Sequence, residues 1–233
     1  KENKSFYKKL EHLGVKNSEL ENLDIVKCSL MNLEELTSVV DGFKPYQVYN
    51  LAGPGSVSES VKKPSETKTS IMTSFDNLIE ALIESNNFAS FFQTSSSEMF
   101  KDLQGTKLDE ESGFEPNTPY AESKIYCHKK VDFYRKKFDW DMSCGILFNH
   151  ESEFRPNNYL IMKIINSAIN IKDGKSKSLV VGSLDLVRDW GFAGDVTIAM
   201  TKIIESHSSE DYVIGTGVGK KIEEMIQIIF DYL

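Results

Sequence analysis

The sequence predicts an α/β fold of the doubly wound class: a mostly parallel sheet with helices on both faces. Three observations predict it. Short apolar runs bounded by polar residues, glycine or proline recur along the chain, several of them near-continuous, as in strands buried on both sides. Amphipathic segments with a helical period lie between them. The chain has 233 residues, 40% hydrophobic and 27% charged, enough to bury a substantial core.

The predicted strands are Leu23–Cys28, Gln47–Leu51, Phe88–Gln93, Met142–Phe148, Leu179–Val181 and Tyr212–Ile214. The first helix, Leu33–Val40, is short. Glu66–Glu84 carries Ile71, Phe75, Leu78, Ile79 and Leu82 at helical spacing, and Pro119–Phe138 carries Ile125, Val131, Tyr134 and Phe138. Helices Tyr159–Ile171, Asp195–Glu205 and Ile222–Tyr232 complete the alternation. The segment Lys101–Asn117 is polar, contains Gly105, Gly113 and Pro116, and is long for a compact domain, so an active-site flap is expected there.

Charge narrows the function classes. Lys and Arg total 27 against 35 Asp and Glu, a net charge of −8, which disfavours nucleic acid and anionic membrane as partners. An anionic ligand must therefore be held by a few local cations. No apolar run is long enough for a membrane-spanning helix. The charged start, Lys1 to Lys9, does not read as a signal peptide. Cys28, Cys127 and Cys144 are odd in number and far apart, the pattern of reduced cytoplasmic thiols and not of a disulfide frame or metal site.

In open α/β sheets chemistry sits at the carboxyl ends of strands. Thr94-Ser95-Ser96-Ser97-Glu98 follows directly on one predicted strand, and Tyr120-Ala121-Glu122-Ser123-Lys124 opens a helix. Tyr120 and Lys124, four residues apart, share a helix face. An ammonium beside a phenol favours phenolate, so the pair is expected to bring Tyr120 from about 10 toward neutrality and make it a proton acceptor for an alcohol. The bland alternative is a surface i,i+4 pair.

At these residues the chain resembles the extended short-chain dehydrogenase/reductases, and within them the GDP-mannose 4,6-dehydratases. The similarity runs from Glu11-His12-Leu13 through Val48-Tyr49-Asn50-Leu51-Ala52, Ser96-Ser97-Glu98, and Pro119-Tyr120-Ala121 to Lys124. It continues in Gly145 to Ser152, Arg188-Asp189-Trp190-Gly191 and Glu210 to Ile214. The resemblance implies a partial NADP-binding Rossmann-like core over 1–233, with substrate-facing segments within 149–195. It implies a lyase in which Tyr120, with Ser96 and Lys124, takes the proton of the sugar 4-hydroxyl as C4 is oxidised. Glu98 then removes the C5 proton and assists loss of the 6-hydroxyl as water, and the hydride returns to C6. Ser29, Leu30, Leu51, Ala52, Gly53, His150 and Arg155, with Tyr120 and Lys124, would bind the cofactor, NADP ahead of NAD. Asn149, Lys163 and Arg188 would hold the nucleotide sugar, GDP-mannose, and no metal is implied. A cytoplasmic homodimer or homotetramer is expected, through the helices Glu66–Glu84 and Pro119–Phe138 or a loop near the basic start.

Several positions depart from the family pattern. Ser96 stands for threonine, Phe100-Lys101 for Tyr-Gly, Glu153-Phe154-Arg155 for Pro-Arg-Arg, Ser29 for aspartate and Glu66 for tyrosine. The opening strand with its G-x-x-G-x-x-G turn, and a C-terminal substrate subdomain, are expected to be lacking. Gly215-Thr216-Gly217-Val218-Gly219-Lys220-Lys221 resembles a phosphate loop but has Lys220 where the dinucleotide pattern needs glycine. A P-loop needs longer glycine spacing and a hydroxyl after the lysine, so a glycine-rich turn is expected instead. The alternatives are a nucleotide-sugar epimerase, a dehydratase of another sugar nucleotide, or a non-catalytic binding remnant.

Overall fold

Four parallel strands form the centre of the molecule: β1 (Gln47–Asn50), β2 (Ser90–Ser96), β3 (Met142–Leu147) and β6 (Asp211–Ile214), in that spatial order. The computed structural model describes residues 2–16, 20–100 and 106–233, without the side chains of residues 2–5. Lys1 and the Lys101–Gly105 part of the expected flap lie outside the described residues.

Parallel strands need crossovers, and helices supply them. Helices α3 (Val57–Lys62) and α4 (Pro64–Glu84) link β1 to β2, and α5 (Pro119–Phe138) links β2 to β3. The alternation of side chains along β2 explains why both faces need cover. Phe91 packs with Leu36 and Val40 of α2 (Leu33–Phe43), Phe75 and Ile79 of α4, and Val131 of α5. Its neighbour Phe92 points the other way, against Val196, Met200 and Ile204 of α7 (Ala193–Ser206). Gly145 lies between β2 and β6 on the Phe92 side; a Cβ there would come within 2.4 Å of Phe92 Cζ.

A second, three-stranded sheet lies beside this core: β4 (Asn149–Glu151), β5 (Val187–Phe192) and β7 (Gly219–Lys221), in that order. Helices α6 (Leu160–Lys172) and α8 (Ile222–Tyr232) pack on each other nearby. The first helix, α1 (Glu2–His12), reaches the turn after β4, where His12 Nε2 lies 3.6 Å from Glu153 and Lys9 sits over the Phe154 ring.

Two predicted strands are corrected. Leu23–Cys28 forms no ladder: no described strand pairs with it, Val26 is 63% exposed, and of its residues Cys28 packs against the core. Leu179–Val181 likewise pairs with no strand among the described residues, and Val180 is exposed. A strand requires a neighbour's unpaired edge, which an apolar run does not specify. The helices agree more closely, and Pro119–Phe138 agrees at both ends because Thr118 caps the Ala121 N–H and Asp139 closes the helix in the left-handed conformation.

Candidate active site

The carboxyl ends of β2, β3 and β6 open into one cleft of about 580 Å³, lined among others by Glu98, Phe148, Asn149, Arg188 and Gly215. Each side chain arrives there for a local reason. Strand β2 ends at Ser96, whose hydroxyl accepts the Glu98 N–H at 3.3 Å and so caps the short 3-10 turn Ser97–Met99. The same hydroxyl is near enough to the phenol of Tyr120, in the first turn of α5, to lower its pKa. Ser96 thus joins the strand end carrying Glu98 to the helix start carrying Tyr120. The charges of Glu98 and Arg155 both bear on the phenol, so the carboxylate and the phenol lie on one side of the fold.

The expected electrostatics of Tyr120 need correction. Its pKa is raised: burial pushes it up most, Ser96 pulls it back, and Glu98 and Tyr159 add to the rise against a weaker opposing effect of Arg155. Lys124 does not reach the phenol oxygen; its ammonium lies 5.7 Å from the ring centroid and donates to the Thr94 carbonyl at 2.8 Å. Burial also lowers the Lys124 pKa. Desolvation outweighs the pairing that i,i+4 spacing suggested.

Across the cleft, Arg188 on β5 places Nη2 3.9 Å from Glu98 Oε1 and donates through Nη1 to its neighbour's carbonyl, Val187 O, at 2.9 Å. It is no helix cap. Asn149 opens β4 and lines the same cleft. Arg155 stacks 4.0 Å from the centre of the Tyr159 ring and pairs with Glu151 at 2.9 Å. The His150 imidazole is engaged locally, with Nδ1 2.9 Å from Phe148 O.

Of the expected residues, Glu98, Asn149 and Arg188 line the cleft, while Ser96, Tyr120, Lys124, His150 and Arg155 are not among its lining residues, and neither are the rest. Lys163 is exposed on α6 and is not among its lining residues. Ser29 is exposed, its hydroxyl accepting the Met31 N–H, while Leu30 packs on the main core. Leu51, Ala52 and Gly53 are exposed just beyond β1, Gly53 with φ of 121°. Glu66 is taken up by Lys63 at 3.0 Å.

The glycine-rich turn after β6 borders the cleft, but its donors are already used. Asp189 accepts the Thr216 N–H at 3.1 Å, the Gly217 N–H at 2.7 Å and the Thr216 hydroxyl at 2.7 Å. Gly215 allows this close approach, because a Cβ there would come within 2.9 Å of Asp189 Oδ2. An internal carboxylate occupies the place a phosphate would need.

The segment expected as an active-site flap does border the site: Thr106, Lys107 and Asn117, in the long connection after β2, line the cleft, though no sequence signal singles them out. That connection is pinned where it is described: Glu115 N donates to Met99 O at 3.0 Å and Glu110 accepts the Val213 N–H at 2.7 Å. No spacing rule marks such residues. Beneath the cleft, His128, Cys144 and Asp211 offer ligand atoms within 4.8 Å of one another. Arg135 Nη2 already sits 2.7 Å from Asp211 Oδ1, and Ser95 Oγ 3.0 Å from His128 Nδ1, so the trio acts as a polar brace between α5, β2 and β6. The three cysteines are unpaired, and burial pushes Cys127 up to about 12.

Comparison with known proteins places this geometry. The family described as GDP-mannose 4,6 dehydratase matches residues 1–233. GDP-mannose 4,6 dehydratase 2 of Arabidopsis thaliana is 35% identical over 219 residues, covering 91% of this chain and 58% of that protein. The GDP-mannose 4,6-dehydratase of Vibrio cholerae is 34% identical over 200 residues, covering 85% of this chain and 54% of that one. The chain thus spans little more than half the length of these relatives. Among solved structures, RMD from Pseudomonas aeruginosa complexed with NADPH superimposes with a TM-score of 0.83 at 23% identity, over 90% of this chain and 72% of that one. A Thermus thermophilus UDP-glucose 4-epimerase in complex with NAD gives 0.80 at 19% identity, over 97% and 78%. These two likenesses establish the Rossmann-like fold. No helix among the described residues is long and apolar enough to cross a membrane. The match along its whole length, and relatives a third identical, show that the chain belongs to the GDP-mannose 4,6-dehydratase family.

Proposed function

We propose that the protein is a nucleotide-sugar 4,6-dehydratase that acts on GDP-mannose with NADP. The observation that carries this is that Ser96 and Glu98, at the end of β2, both act on the Tyr120 phenol, while Glu98 faces Arg188 across one cleft. The Tyr120 phenol, with the Ser96 hydroxyl acting on it, would take the proton of a sugar 4-hydroxyl. Once C4 is a ketone, the C5 proton is acidic, and the Glu98 carboxylate removes it and returns a proton to the departing 6-hydroxyl. Glu98 favours dehydration over epimerisation, which needs no carboxylate beside the hydroxyl residue. Arg188 and Asn149 line the same cleft and would hold the nucleotide diphosphate by charge-assisted and neutral hydrogen bonds. Lys163, exposed on α6, would belong to the outer part of the same binding site.

The donor set fits the nicotinamide half of a dinucleotide. Tyr120, Ser96 and Lys124 meet at the strand ends, and the exposed backbone of Leu51, Ala52 and Gly53 lies beyond β1. Ser29, Leu30, His150 and Arg155 would extend the contact. When bound, oxidised NADP supplies a reversible hydride acceptor and a positively charged ring. A phenol whose pKa burial has raised gains more than an exposed one from such a charge, because the interaction is less screened.

The test is incubation of the purified protein with GDP-mannose and NADP, read by NMR and by absorbance in alkali. A 4-keto-6-deoxy product supports the proposal. An epimerised sugar, or nucleotide sugar bound and never turned over, rejects it.

A further inference from the structure

Lys124 is 7% exposed, yet among the described residues no carboxylate pairs with it. What holds its ammonium is Thr94: the carbonyl at 2.8 Å and the side-chain hydroxyl at 3.4 Å. Thr94 is in turn locked from two sides. Its hydroxyl donates to Asn50 O at 2.9 Å, and its carbonyl also accepts Gln93 Nε2 at 2.9 Å. Asn50 Nδ2 donates to Gln93 Oε1 at 2.8 Å, which closes a ring through Asn50, Gln93 and Thr94. All three residues are buried. From the same Asn50 side chain, Oδ1 accepts the Ala52 N–H at 3.3 Å and so sets the start of the exposed Leu51–Gly53 loop.

We infer that Thr94 is a positioning residue: with Asn50 and Gln93 it holds the Lys124 ammonium at the end of β2 and ties it to the Leu51–Gly53 loop, so that lysine and loop face the cofactor as one unit. This rests on the dehydratase reading for its purpose, though not for its geometry. A buried ammonium keeps its proton only where acceptors replace lost water. Two oxygens of one residue do that here, and one of them is a side-chain hydroxyl that valine would remove with little change of shape. A ring that merely satisfied buried polar groups would not change the titration of Lys124; a ring that seats the ammonium must.

The experiment is a pH titration of the Lys124 side-chain signal by NMR in lysine-labelled protein, for the wild type, Thr94→Val and Thr94→Ser. Loss of a charge-assisted contact is expected to lower the Lys124 titration by about one pH unit in Thr94→Val, and Thr94→Ser is expected to restore it. NADP affinity, followed by cofactor fluorescence, is expected to fall several-fold in Thr94→Val and to recover in Thr94→Ser. A Lys124 titration unchanged in Thr94→Val overturns the inference, as does a loss that serine does not repair. If Thr94→Val does not fold, Thr94→Ala and the serine variant carry the same comparison. The lysine titration needs no turnover, so a shifted titration with no dehydratase product rejects the functional reading alone.

Discussion

Replacing Asp211 by asparagine removes a charge from the brace under the cleft while keeping its volume. Arg135 Nη2 lies 2.7 Å from Asp211 Oδ1 and His128 Nε2 lies 3.3 Å from Oδ2. The Arg135 and Asp211 side chains are 17% and 26% exposed. Removing one partner of a fully buried pair costs about 3–5 kcal/mol, and the residual exposure reduces that to about 2–3 kcal/mol. In a chain of this size that is a fall in Tm of roughly 5–10 °C. The effect has a pH signature. His128 and Arg135 hold the folded-state carboxyl below its ordinary range despite the burial that opposes them. A carboxyl depressed in the fold stabilises it above the unfolded value of about 3.9, and that contribution is lost as pH falls through the folded-state pKa. Urea unfolding of wild type and Asp211→Asn at pH 7 should therefore differ by about 2–3 kcal/mol, and the difference should shrink steadily below pH 4. A difference under about 0.5 kcal/mol at pH 7, in the range of an exposed pair, would refute the reasoning, as would one that does not change with acid.

Gly145→Ala should cost about 1–3 kcal/mol by overpacking, because the new Cβ meets Phe92 Cζ at 2.4 Å; Phe92→Leu in the same chain should recover part of it in urea unfolding. Arg188→Met should raise the KM for GDP-mannose by about tenfold to a hundredfold, as expected for losing a charged hydrogen-bond donor, with a smaller change in kcat; calorimetry of GDP-mannose binding checks the same loss without turnover.

Much of the architecture was legible because its signals are local. Near-continuous apolar runs mark β2 and β3, whose two faces are both covered, and Thr118-Pro119 marks the start of α5. Leu23–Cys28 also reads as an apolar run, though with Asp24 and Lys27 in it, and forms no strand among the described residues, because pairing is decided by a neighbour. Strand β5 escaped for the opposite reason. Its residues, Val187 to Phe192, are mixed in character and half-buried, and its partners β4 and β7 are three residues each. At the site, chain position alone brought Ser96, Glu98 and Tyr120 together, since a strand end and the following helix start meet in any right-handed crossover. Spacing said that Tyr120 and Lys124 share a face, but not that Thr94 would claim the ammonium. The Glu98–Arg188 contact joins residues 90 apart in sequence, and Asp189 spends the donors of the glycine-rich turn. Both required coordinates.

The account stands on Glu98 as the base for the C5 proton. Its most direct test follows GDP-mannose by NMR with wild type and Glu98→Gln, alongside calorimetry of GDP-mannose binding. The predicted result is a 4-keto-6-deoxy product from wild type and a loss of rate of about a hundredfold or more in Glu98→Gln, with nucleotide-sugar affinity retained. Wild-type rates from Glu98→Gln would contradict the account.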